Sequence, residues 1–543
     1  MATIEAKFVS PACVPWESRK FTLPCSSTTR SRQAFVKKRI FFVVCESEAL
    51  DAAVLPSVSP SPPSNGAVSA IHRGMGSRAP ISEVKKTADK VSFEVPHLLD
   101  FLPDLKSLPS PLDASVFGSS ATAPSTYRGY FVMDNTSISY DVTNAPDRPR
   151  DERTLIRAGP RKNVYFEPSE VKAAVVSCGG LCPGMNVVIR EIVMCLWKNY
   201  RVRNIIGIRE GYRGFYRDDL VPTALTPEYV VNIHTLGGTV LGSSRGGFDG
   251  EKITNMLERE GVNQVYIIGG DGTHRGANQV YQEVRRRKLK ISVVGIPKTI
   301  DNDIPFIDQS FGFDTAVEQA CKAIDSAWIE ARCFPNGVGI VNLMGRSSGF
   351  IAMHATLASR VVDACLIPEV PFALEGDHGL LAYVENCLKE KRSCLIVVAE
   401  GAGQDMLPPT GAVDKSGNPK LAEVGKFLLD SIRGHLSQKT NDFSMKYLDP
   451  TYMVRSVPAN PSDSIYCTIL AQSAVHGAFA GYTGFSSGRV NGRYVYLPMS
   501  AIAAGSATVD PNSRMWFRLK SSTMQPDFID IESPLLDEPV GDD

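Results

Sequence analysis

The sequence predicts an α/β fold made of two lobes, each organised around a doubly wound parallel sheet. From residue 171 onward, short apolar runs bounded by glycine alternate with amphipathic stretches of helical length. The apolar runs show no alternation with polar residues, as is typical of parallel strands that helices cover on both faces. The stretch from 171 to about 500 is long enough for two such sheets.

The predicted elements follow one another as repeated strand–helix units. The predicted strands are 173–177, 204–208, 265–268, 292–296, 338–342, 364–367 and 395–399. The predicted helices include 185–197, 273–287, 314–329 and 380–390. In open α/β sheets, ligands bind in the loops that follow the carboxyl ends of the strands. We therefore expect the functional residues in those loops.

The two ends of the chain differ in composition from this central part. Residues 1–50 are rich in Lys, Arg, Ser and Thr, and Glu5 and Glu17 are the only acidic residues before position 45. This composition is typical of a chloroplast transit peptide, although a basic tail without a targeting role would share it. The other expected regions are a Pro/Ser-rich linker and irregular extension at 51–170, lobes at 171–335 and 336–500 (with later helices free to return to the first lobe), and a tail at 501–543.

Composition excludes several classes of protein. The 543 residues include 58 basic and 58 acidic side chains, so charge gives no reason to expect nucleic acid or a membrane surface as partner. No apolar run approaches the roughly 18 to 20 residues of a membrane helix. The 12 cysteines form no repeated CxxC pattern, which argues against a zinc site or a disulfide framework and favours a reduced compartment.

The first glycine-rich loop is VVSCGGLCPGMN at 175–186. Glycines let backbone amides approach an anion, and the start of the next helix adds positive potential. Gly179 and Gly180 therefore fit a phosphate-binding loop, and they fit a tight structural turn equally well. Cys178 and Cys182 do not have the redox spacing, so we interpret them as inert thiols.

The second glycine-rich loop is YIIGGDGTHRGA at 266–277. Asp271 stands here among Gly270, Gly272 and Thr273, and a carboxylate beside a phosphate cradle suits Mg²⁺, which prefers oxygen ligands. The GGDG string also occurs in NAD kinases and lipid kinases, so it predicts a nucleotide-phosphate site without naming the substrate. The plain alternative for Asp271 is a helix cap.

The third motif, GIPKTIDNDI at 295–304, carries two carboxylates at the tip of a predicted strand. A hydroxyl that attacks phosphorus must lose its proton, and Asp301 or Asp303 could accept it. Thr299 offers a hydroxyl to hold a phosphate. A short acidic turn is the plain alternative, but the whole string is more specific than that.

With this motif the sequence resembles the 6-phosphofructokinase family over about residues 172–485. Four further strings carry the resemblance in order: LGSSRGG at 241–247, LMGRSSG at 343–349, VVAEG at 397–401 and YMVR at 452–455. The resemblance implies the phosphofructokinase fold, with an ATP-binding lobe, a sugar-phosphate-binding lobe and the active site between them. It also implies phosphoryl transfer from MgATP to the 1-hydroxyl of fructose 6-phosphate, and a homotetramer.

The resemblance implies a role for each matching residue. Those expected to hold ATP are Gly180, Arg245, Gly246, Gly270, Asp271, Gly272 and Thr273, with Asp271 binding Mg²⁺. Those expected at the reacting groups are Asp301 as proton acceptor, Thr299, Asp303 and Arg346. Those expected to bind the sugar phosphate are Thr299, Ile300, Asp301, Met344, Gly345, Arg346, Glu400, Tyr452, Met453, Val454 and Arg455. Phosphoryl transfer is mostly positioning and charge neutralisation, which these residue types supply.

Two residues bear on the phosphoryl donor, because the family has ATP-using and pyrophosphate-using branches. An aspartate after the GGD carboxylate would occupy the space of the ATP α-phosphate and repel it, whereas Gly272 leaves that space open. Lys298 resembles the pyrophosphate users. The combination looks like the plant and trypanosome group of ATP users, and since a lysine excludes less than an obstructing carboxylate, we predict ATP.

The chain departs from the bacterial pattern at two positions. Gly337 stands where an arginine is lent across a subunit interface, and Tyr452 replaces a histidine. Lys446 is a candidate to help hold the sugar 6-phosphate instead. The alternatives are a pyrophosphate-dependent phosphotransferase, an NAD or lipid kinase, and a non-catalytic regulatory subunit, although such subunits usually lose the base or metal carboxylate.

Overall fold

A computed structural model describes residues 92–113, 130–143, 151–413 and 419–528, all within one compact unit, Gly76–Asp543. The predicted transit peptide at 1–50, the predicted linker up to residue 91 and the acidic end of the tail lie outside the described residues. None of the helices in the described ranges is long and apolar enough to cross a membrane.

The strands fall into three sheets across the described residues. In chain order they are β1 (Leu108–Pro109), β2 (Ser137–Ser139), β3 (Thr154–Arg157), β4 (Asn163–Val164), β5 (Lys172–Ser177), β6 (Asn204–Ile208), β7 (Thr223–Ala224), β8 (Gln264–Gly269), β9 (Ser292–Pro297), β10 (Gly337–Leu343), β11 (Ala364–Leu366), β12 (Ser393–Ala399), β13 (Ser444–Leu448), β14 (Phe485–Val490) and β15 (Arg493–Pro498). β1 and β4 form a separate antiparallel pair.

The helices connect and cover these strands. In chain order they are α1 (Met185–Met194), α2 (Pro227–Val230), α3 (Gly250–Arg259), α4 (Asp271–Arg286), α5 (Phe313–Arg332), α6 (Phe350–Ser359), α7 (Leu380–Lys391), α8 (Val424–Ser437), α9 (Thr451–Arg455), α10 (Pro461–Phe479), α11 (Met499–Ile502) and α12 (Arg514–Thr523).

The larger sheet has the order β2-β3-β15-β14-β9-β8-β5-β6-β7 among the described strands. Its centre, from β14 through β9, β8 and β5 to β6, is parallel, while the strands at both edges pair antiparallel. β8 and β9 are buried at every residue because helices cover both faces. Val175 faces a core shared with α1 and α10, whereas the next residue, Val176, faces a core shared with α3 and α4. This alternation is that of a doubly wound sheet.

The smaller sheet has the order β11-β12-β10-β13 in the described chain and is parallel throughout. Val341 and Val397 face α5 and α6, and Ile340 and Ile396 face the opposite core with α7 and α8. The predicted α/β class with two covered sheets is therefore confirmed. The predicted strands and helices all appear, with ends shifted by a few residues; α1 ends at Met194 and continues as a π-helical turn, Cys195–Asn199.

Three regional predictions need correction. The range 336–500 that is predicted for the second lobe includes β14 and β15, but β14 pairs with β9 of the first sheet. The extension predicted as irregular supplies β2 and β3, which extend the same sheet through β15. The predicted tail includes α12, after which Gln525 donates to and accepts from the backbone of Cys365, so it is part of the packed structure up to residue 528.

Candidate active site

Three predicted loops meet at the carboxyl ends of β5, β8 and β9. In the parallel register Ser177 of β5 lies opposite Ile268 of β8, and Gly269 of β8 lies opposite Pro297 of β9. The Lys298 amide donates to the Gly269 carbonyl at 2.9 Å, which extends this pairing past the strand ends. The residues that follow these strands therefore share one edge of the sheet, as the fold class requires.

The first loop is held against the segment that carries Arg245. The Gly179 amide donates to the Ser244 carbonyl at 3.0 Å, and Ser243 Oγ donates to the Gly179 carbonyl at 2.6 Å. A Cβ on Gly180 would lie 3.5 Å from a terminal nitrogen of Arg245. Gly246 turns the chain with a φ of +74°, a conformation that favours glycine. The structure thus brings Gly180, Arg245 and Gly246 together as predicted.

The second loop forms the first turn of α4, and Gly270 is its N-cap. Tyr212 Oη donates to the Thr273 carbonyl at 2.7 Å and fixes this turn from outside. The Asp271 carboxylate pairs with Arg275 at 3.0 Å while its side chain remains half exposed. A Cβ on Gly272 would meet only the end of the Arg275 side chain, at 3.7 Å. The space beside Gly272 is therefore open.

Lys298 is buried where the first and third loops meet. Its side chain is the nearest group to a Cβ placed on Gly179, with Nζ at 3.6 Å. Burial lowers the pKa of Lys298, and the nearby Asp301 carboxylate opposes that shift. An ammonium group placed between a glycine loop and a carboxylate can contact a phosphoryl group at the same edge of the sheet.

The third loop encloses an unpaired carboxylate oxygen. Within the described residues, Asp301 Oδ1 is shielded from solvent and has no hydrogen-bond partner. Burial raises the pKa of Asp301 to about 7, and the carboxylates of Asp303 and Glu400 add to the rise, against Lys298. Burial also raises the pKa of Asp303, and a hydrogen bond from the Thr299 side chain opposes this rise. A carboxylate with a pKa near neutrality and a free oxygen has the properties of a general base.

The smaller sheet supplies a facing loop after β10. Gly345 has a φ of +137°, and its carbonyl accepts from the Gly401 amide at 3.0 Å. A Cβ on Gly401 would lie 2.0 Å from the Arg346 carbonyl oxygen, so this close approach requires glycine. Ser348 Oγ donates to the Asp301 carbonyl at 3.4 Å, which joins this loop to the third loop of the other lobe.

Arg346 and Glu400 lie near each other at the tips of β10 and β12. The Glu400 amide donates to the Leu343 carbonyl at 2.9 Å. Burial raises the pKa of Glu400, and the guanidinium groups of Arg346 and Arg455 oppose that rise. Arg346 donates to the Pro419 carbonyl. Met344 packs partly buried against the core and supports the loop.

The predicted residues at 452–455 divide between the surface and the core. Tyr452 and Met453 are 74% and 58% exposed on α9, and the Arg455 guanidinium lies 5.1 Å from the Tyr452 ring centroid. Val454 is buried in the core, as is Ile300 of the third loop. Since both side chains pack in the core, Ile300 and Val454 can take part in substrate binding only through their backbone groups.

The structure bears on one departure from the bacterial pattern, Gly337, and on the candidate residue Lys446. A Cβ on Gly337 would lie 1.9 Å from the Ala331 carbonyl oxygen, so no side chain fits at this position. Lys446 pairs with Glu330 at 3.1 Å and covers the Phe334 ring at 4.3 Å, which places it beside the end of α5. The hypothesis that Lys446 holds the sugar 6-phosphate is not supported by these contacts.

Several residues that shape the site were missed at the level of sequence. Asn302 adopts a φ of +59° between the two carboxylates, and its Oδ1 accepts from the Ser310 amide at 2.8 Å. Gln404 Nε2 donates to the Glu400 carbonyl at 2.8 Å and to the Ala422 carbonyl at 3.1 Å. The Asn in the DND string was a usable signal for a turn with positive φ. Gln404 had no comparable signal.

Asp271 offers a carboxylate of the kind that binds a magnesium ion. Across the described part of the chain, no group of three or more His, Cys, Asp or Glu side chains is arranged to hold a metal ion. Mg²⁺ is usually held by one or two carboxylates together with substrate phosphates, so such a group is not required for it. The half-exposed Asp271 carboxylate is the group at this edge that suits it.

Comparison with known proteins agrees with this geometry. The family model described as Phosphofructokinase matches residues 172–478. ATP-dependent 6-phosphofructokinase 7 of Arabidopsis thaliana is 52% identical over 459 residues, which cover 82% of this chain and 93% of that protein. The protein named ATP-dependent 6-phosphofructokinase 4, chloroplastic, of the same plant is 50% identical over 473 residues, 86% of this chain and 88% of that protein.

A solved structure is similar in fold. The pyrophosphate-dependent phosphofructokinase from Marinobacter aquaeolei superposes with a TM-score of 0.55 at 21% identity, covering 66% of this chain and 92% of that chain. At this identity the likeness concerns the fold alone.

Proposed function

The chain belongs to the phosphofructokinase family, and we propose that it transfers the γ-phosphate of MgATP to the 1-hydroxyl of fructose 6-phosphate. The products are fructose 1,6-bisphosphate and ADP, as in the committed step of glycolysis. The observation that carries this proposal is Asp301, which has an unpaired carboxylate oxygen and whose backbone carbonyl accepts a hydrogen bond from Ser348 of the facing loop. The high identity to two ATP-dependent 6-phosphofructokinases supports ATP as the donor.

The nucleotide is held at the first two loops and at Arg245. Backbone amides of the Gly270–Thr273 turn and the N-terminus of α4 offer positive potential to the phosphates. Arg245 adds a cation beside Gly180, and Gly246 lets the chain turn there. The open space at Gly272 accommodates the α-phosphate.

The sugar phosphate is held by the second lobe. Met344, Gly345 and Arg346 form the loop that faces Asp301, and Glu400 accepts hydrogen bonds from sugar hydroxyls. The exposed α9 offers Tyr452, Met453 and the guanidinium of Arg455 to the sugar phosphate. The 6-phosphate is dianionic over most of the physiological range, so cations such as Arg455 give this end of the substrate its affinity.

The reacting groups meet at the tip of β9. Asp301 accepts the proton of the attacking 1-hydroxyl, and Thr299 donates to the phosphoryl group in transfer. Arg346 neutralises charge that develops on the phosphoryl oxygens, while Asp303 supports the base through the shared turn. Bound through Asp271, Mg²⁺ would supply charge neutralisation for the nucleotide phosphates.

Two further properties are proposed from the relatives and from the family. A chloroplast location is supported by the composition of residues 1–50 and by a close relative that is named as chloroplastic. A homotetramer is expected from the family. At position 337, where the bacterial pattern has its interface arginine, Gly337 leaves no space for a side chain.

The donor assay tests the proposed function directly. Purified protein is incubated with fructose 6-phosphate and Mg²⁺, and fructose 1,6-bisphosphate is measured with either ATP or pyrophosphate. We expect product with ATP and none with pyrophosphate. Product with pyrophosphate alone would assign the chain to the other branch. A folded protein that gives product with neither donor would be a non-catalytic subunit.

The pH dependence of kcat/KM is expected to show the ionisation of Asp301. A base must be deprotonated, and burial raises the pKa of Asp301 to about 7, so kcat/KM should fall about tenfold per pH unit below that value. Both substrates are kept below their KM, so that the free enzyme is observed. The apparent pKa should lie about one unit above that of the substrate phosphate, which is about 6. A profile that is flat down to pH 5 would contradict this assignment.

A further inference from the structure

His274 is buried in the first turn of α4, directly after the nucleotide loop. Its Nδ1 lies 3.0 Å from the Gly270 carbonyl oxygen, and since a carbonyl only accepts, the ring proton is on Nδ1. Nε2 is then an acceptor with a free lone pair. Burial lowers the pKa of His274 to about 4, which keeps the imidazole neutral at physiological pH.

The Nε2 atom faces a gap that a glycine leaves in β9. A Cβ on Gly295 would lie 2.5 Å from His274 Nε2 and 2.5 Å from Ser486 Oγ. The distance between Nε2 and Oγ is therefore no greater than twice 2.5 Å. Ser486 is the direct partner of Gly295 in the register of β14 and β9. Of the residues that the structure describes, none forms a hydrogen bond with either atom. Buried polar atoms are almost always paired, and these two are complementary as donor and acceptor.

We propose that His274 is a positioning residue for the nucleotide: Nδ1–H holds the Gly270 peptide, and the Ser486 hydroxyl, which is unpaired in this structure, rotates to donate a hydrogen bond to Nε2 across Gly295. The proposal rests on the proposed function, since it assigns the Gly270–Thr273 turn to ATP. His274 does not touch the reactants; it acts through Gly270.

Once formed, the hydrogen bond between Nε2 and Oγ would connect three strands at the site. Gly270 follows β8, Gly295 lies in β9 three residues before Lys298, and Ser486 lies in β14. A buried polar link of this kind restricts the orientation of the loop amides before ATP binds. Loss of the link should therefore weaken ATP binding, because the loop must then be ordered by the ligand.

The test uses equilibrium binding of MgATP to the full chain, measured by titration calorimetry without sugar. His274→Phe keeps the volume and removes both bonds, and we expect about tenfold weaker binding. Ser486→Ala and His274→Asn each remove the bond between Nε2 and Oγ, while Asn keeps a donor near the Nδ1 position. Each should weaken ATP binding about threefold. The variant that combines Ser486→Ala with His274→Asn should bind ATP no more weakly than either single variant. The KM for fructose 6-phosphate should stay unchanged in the three single variants and in the double variant.

His354→Phe is the matched control. His354 Nδ1 makes the same bond one helical turn back, to the Phe350 carbonyl at 2.9 Å, but on α6 of the other lobe. We expect its ATP binding to equal that of the unmodified protein even if its melting temperature falls.

Three results would overturn the proposal. The first is unchanged ATP binding in His274→Phe, and the second is unchanged binding in Ser486→Ala. The third is a double variant in which the two single losses multiply, since independent effects exclude a shared bond. If His274→Phe does not fold, the ATP binding of Ser486→Ala, of His274→Asn and of their double variant decides between the outcomes. An unmodified protein that binds ATP but forms no fructose 1,6-bisphosphate would refute the proposed function and leave this binding test valid.

Discussion

Replacement of Asp301 by Asn is expected to lower kcat by a factor of about 10² to 10⁴, the usual contribution of a positioned general base. The amide has the same shape but cannot accept the proton of the 1-hydroxyl. ATP binding should change little, because Gly180, Arg245 and the Gly270–Thr273 turn remain intact. Initial rates of fructose 1,6-bisphosphate formation at saturating substrates measure kcat, and calorimetry measures ATP binding.

Asp325→Asn provides the control for this substitution. Asp325 is exposed on α5 and loses the same charge outside the site, so its kcat should match that of the unmodified protein. A value of kcat in Asp301→Asn within about threefold of the control would remove Asp301 from the base role. Asp303 would then be the remaining carboxylate of that loop to examine.

The strand ends that carry the site could be predicted from the sequence. β8 and β9 are apolar along most of their length because helices cover both faces, and the chain returns to polar residues only where each strand ends. Asp271, Lys298 and Asp301 therefore stand out at the ends of apolar runs. The same reasoning gave the carboxyl edge of the sheet as the place where they meet.

β14 escaped prediction because small polar residues fill its interior. Its sequence is FSSGRV, and Ser486 and Ser487 are both buried. A Cβ on Gly477 of α10 would lie 2.5 Å from the Phe485 ring, so the helix passes very close to this strand. Ser487 Oγ donates to the Leu470 carbonyl of the same helix at 3.1 Å, so the buried hydroxyl has a hydrogen-bond partner. A search for apolar runs does not detect a strand whose packing requires small residues.

The contacts between the two lobes could not be predicted from local sequence patterns either. Glu400 raises the pKa of Asp301 although the two are about a hundred positions apart, and only the packing of the two sheets brings them together. A motif string does not distinguish exposed from buried residues. In the single turn of α9, the side chains of Tyr452 and Met453 are exposed, whereas that of Val454 is buried in the core. Backbone geometry therefore decides which residues of a motif present a side chain to a ligand.

Replacement of Gly272 by Asp is expected to lower kcat/KM for ATP by about a hundredfold. A Cβ at this position meets only the end of the Arg275 side chain, at 3.7 Å, so the new side chain fits without moving the backbone. Its carboxylate then stands where the ATP α-phosphate is expected, and juxtaposed like charges cost several kcal/mol, or tenfold for each 1.4 kcal/mol. Initial rates over a range of ATP concentrations, at saturating fructose 6-phosphate, measure the effect.

Gly272→Asn separates charge from volume, because its side chain has nearly the same size and no charge. If repulsion dominates, Asn should cost no more than about a tenth of the loss caused by Asp, and added salt should recover part of the loss in Asp alone. Equal losses in both variants would mean that volume excludes the α-phosphate. Unchanged ATP kinetics in Gly272→Asp would show that the α-phosphate lies elsewhere, and Gly272 would then carry no information about the donor. Arg275 lies within reach of the new carboxylate, so Gly272→Asp combined with Arg275→Ala removes a pairing that could mask the charge and should deepen the loss.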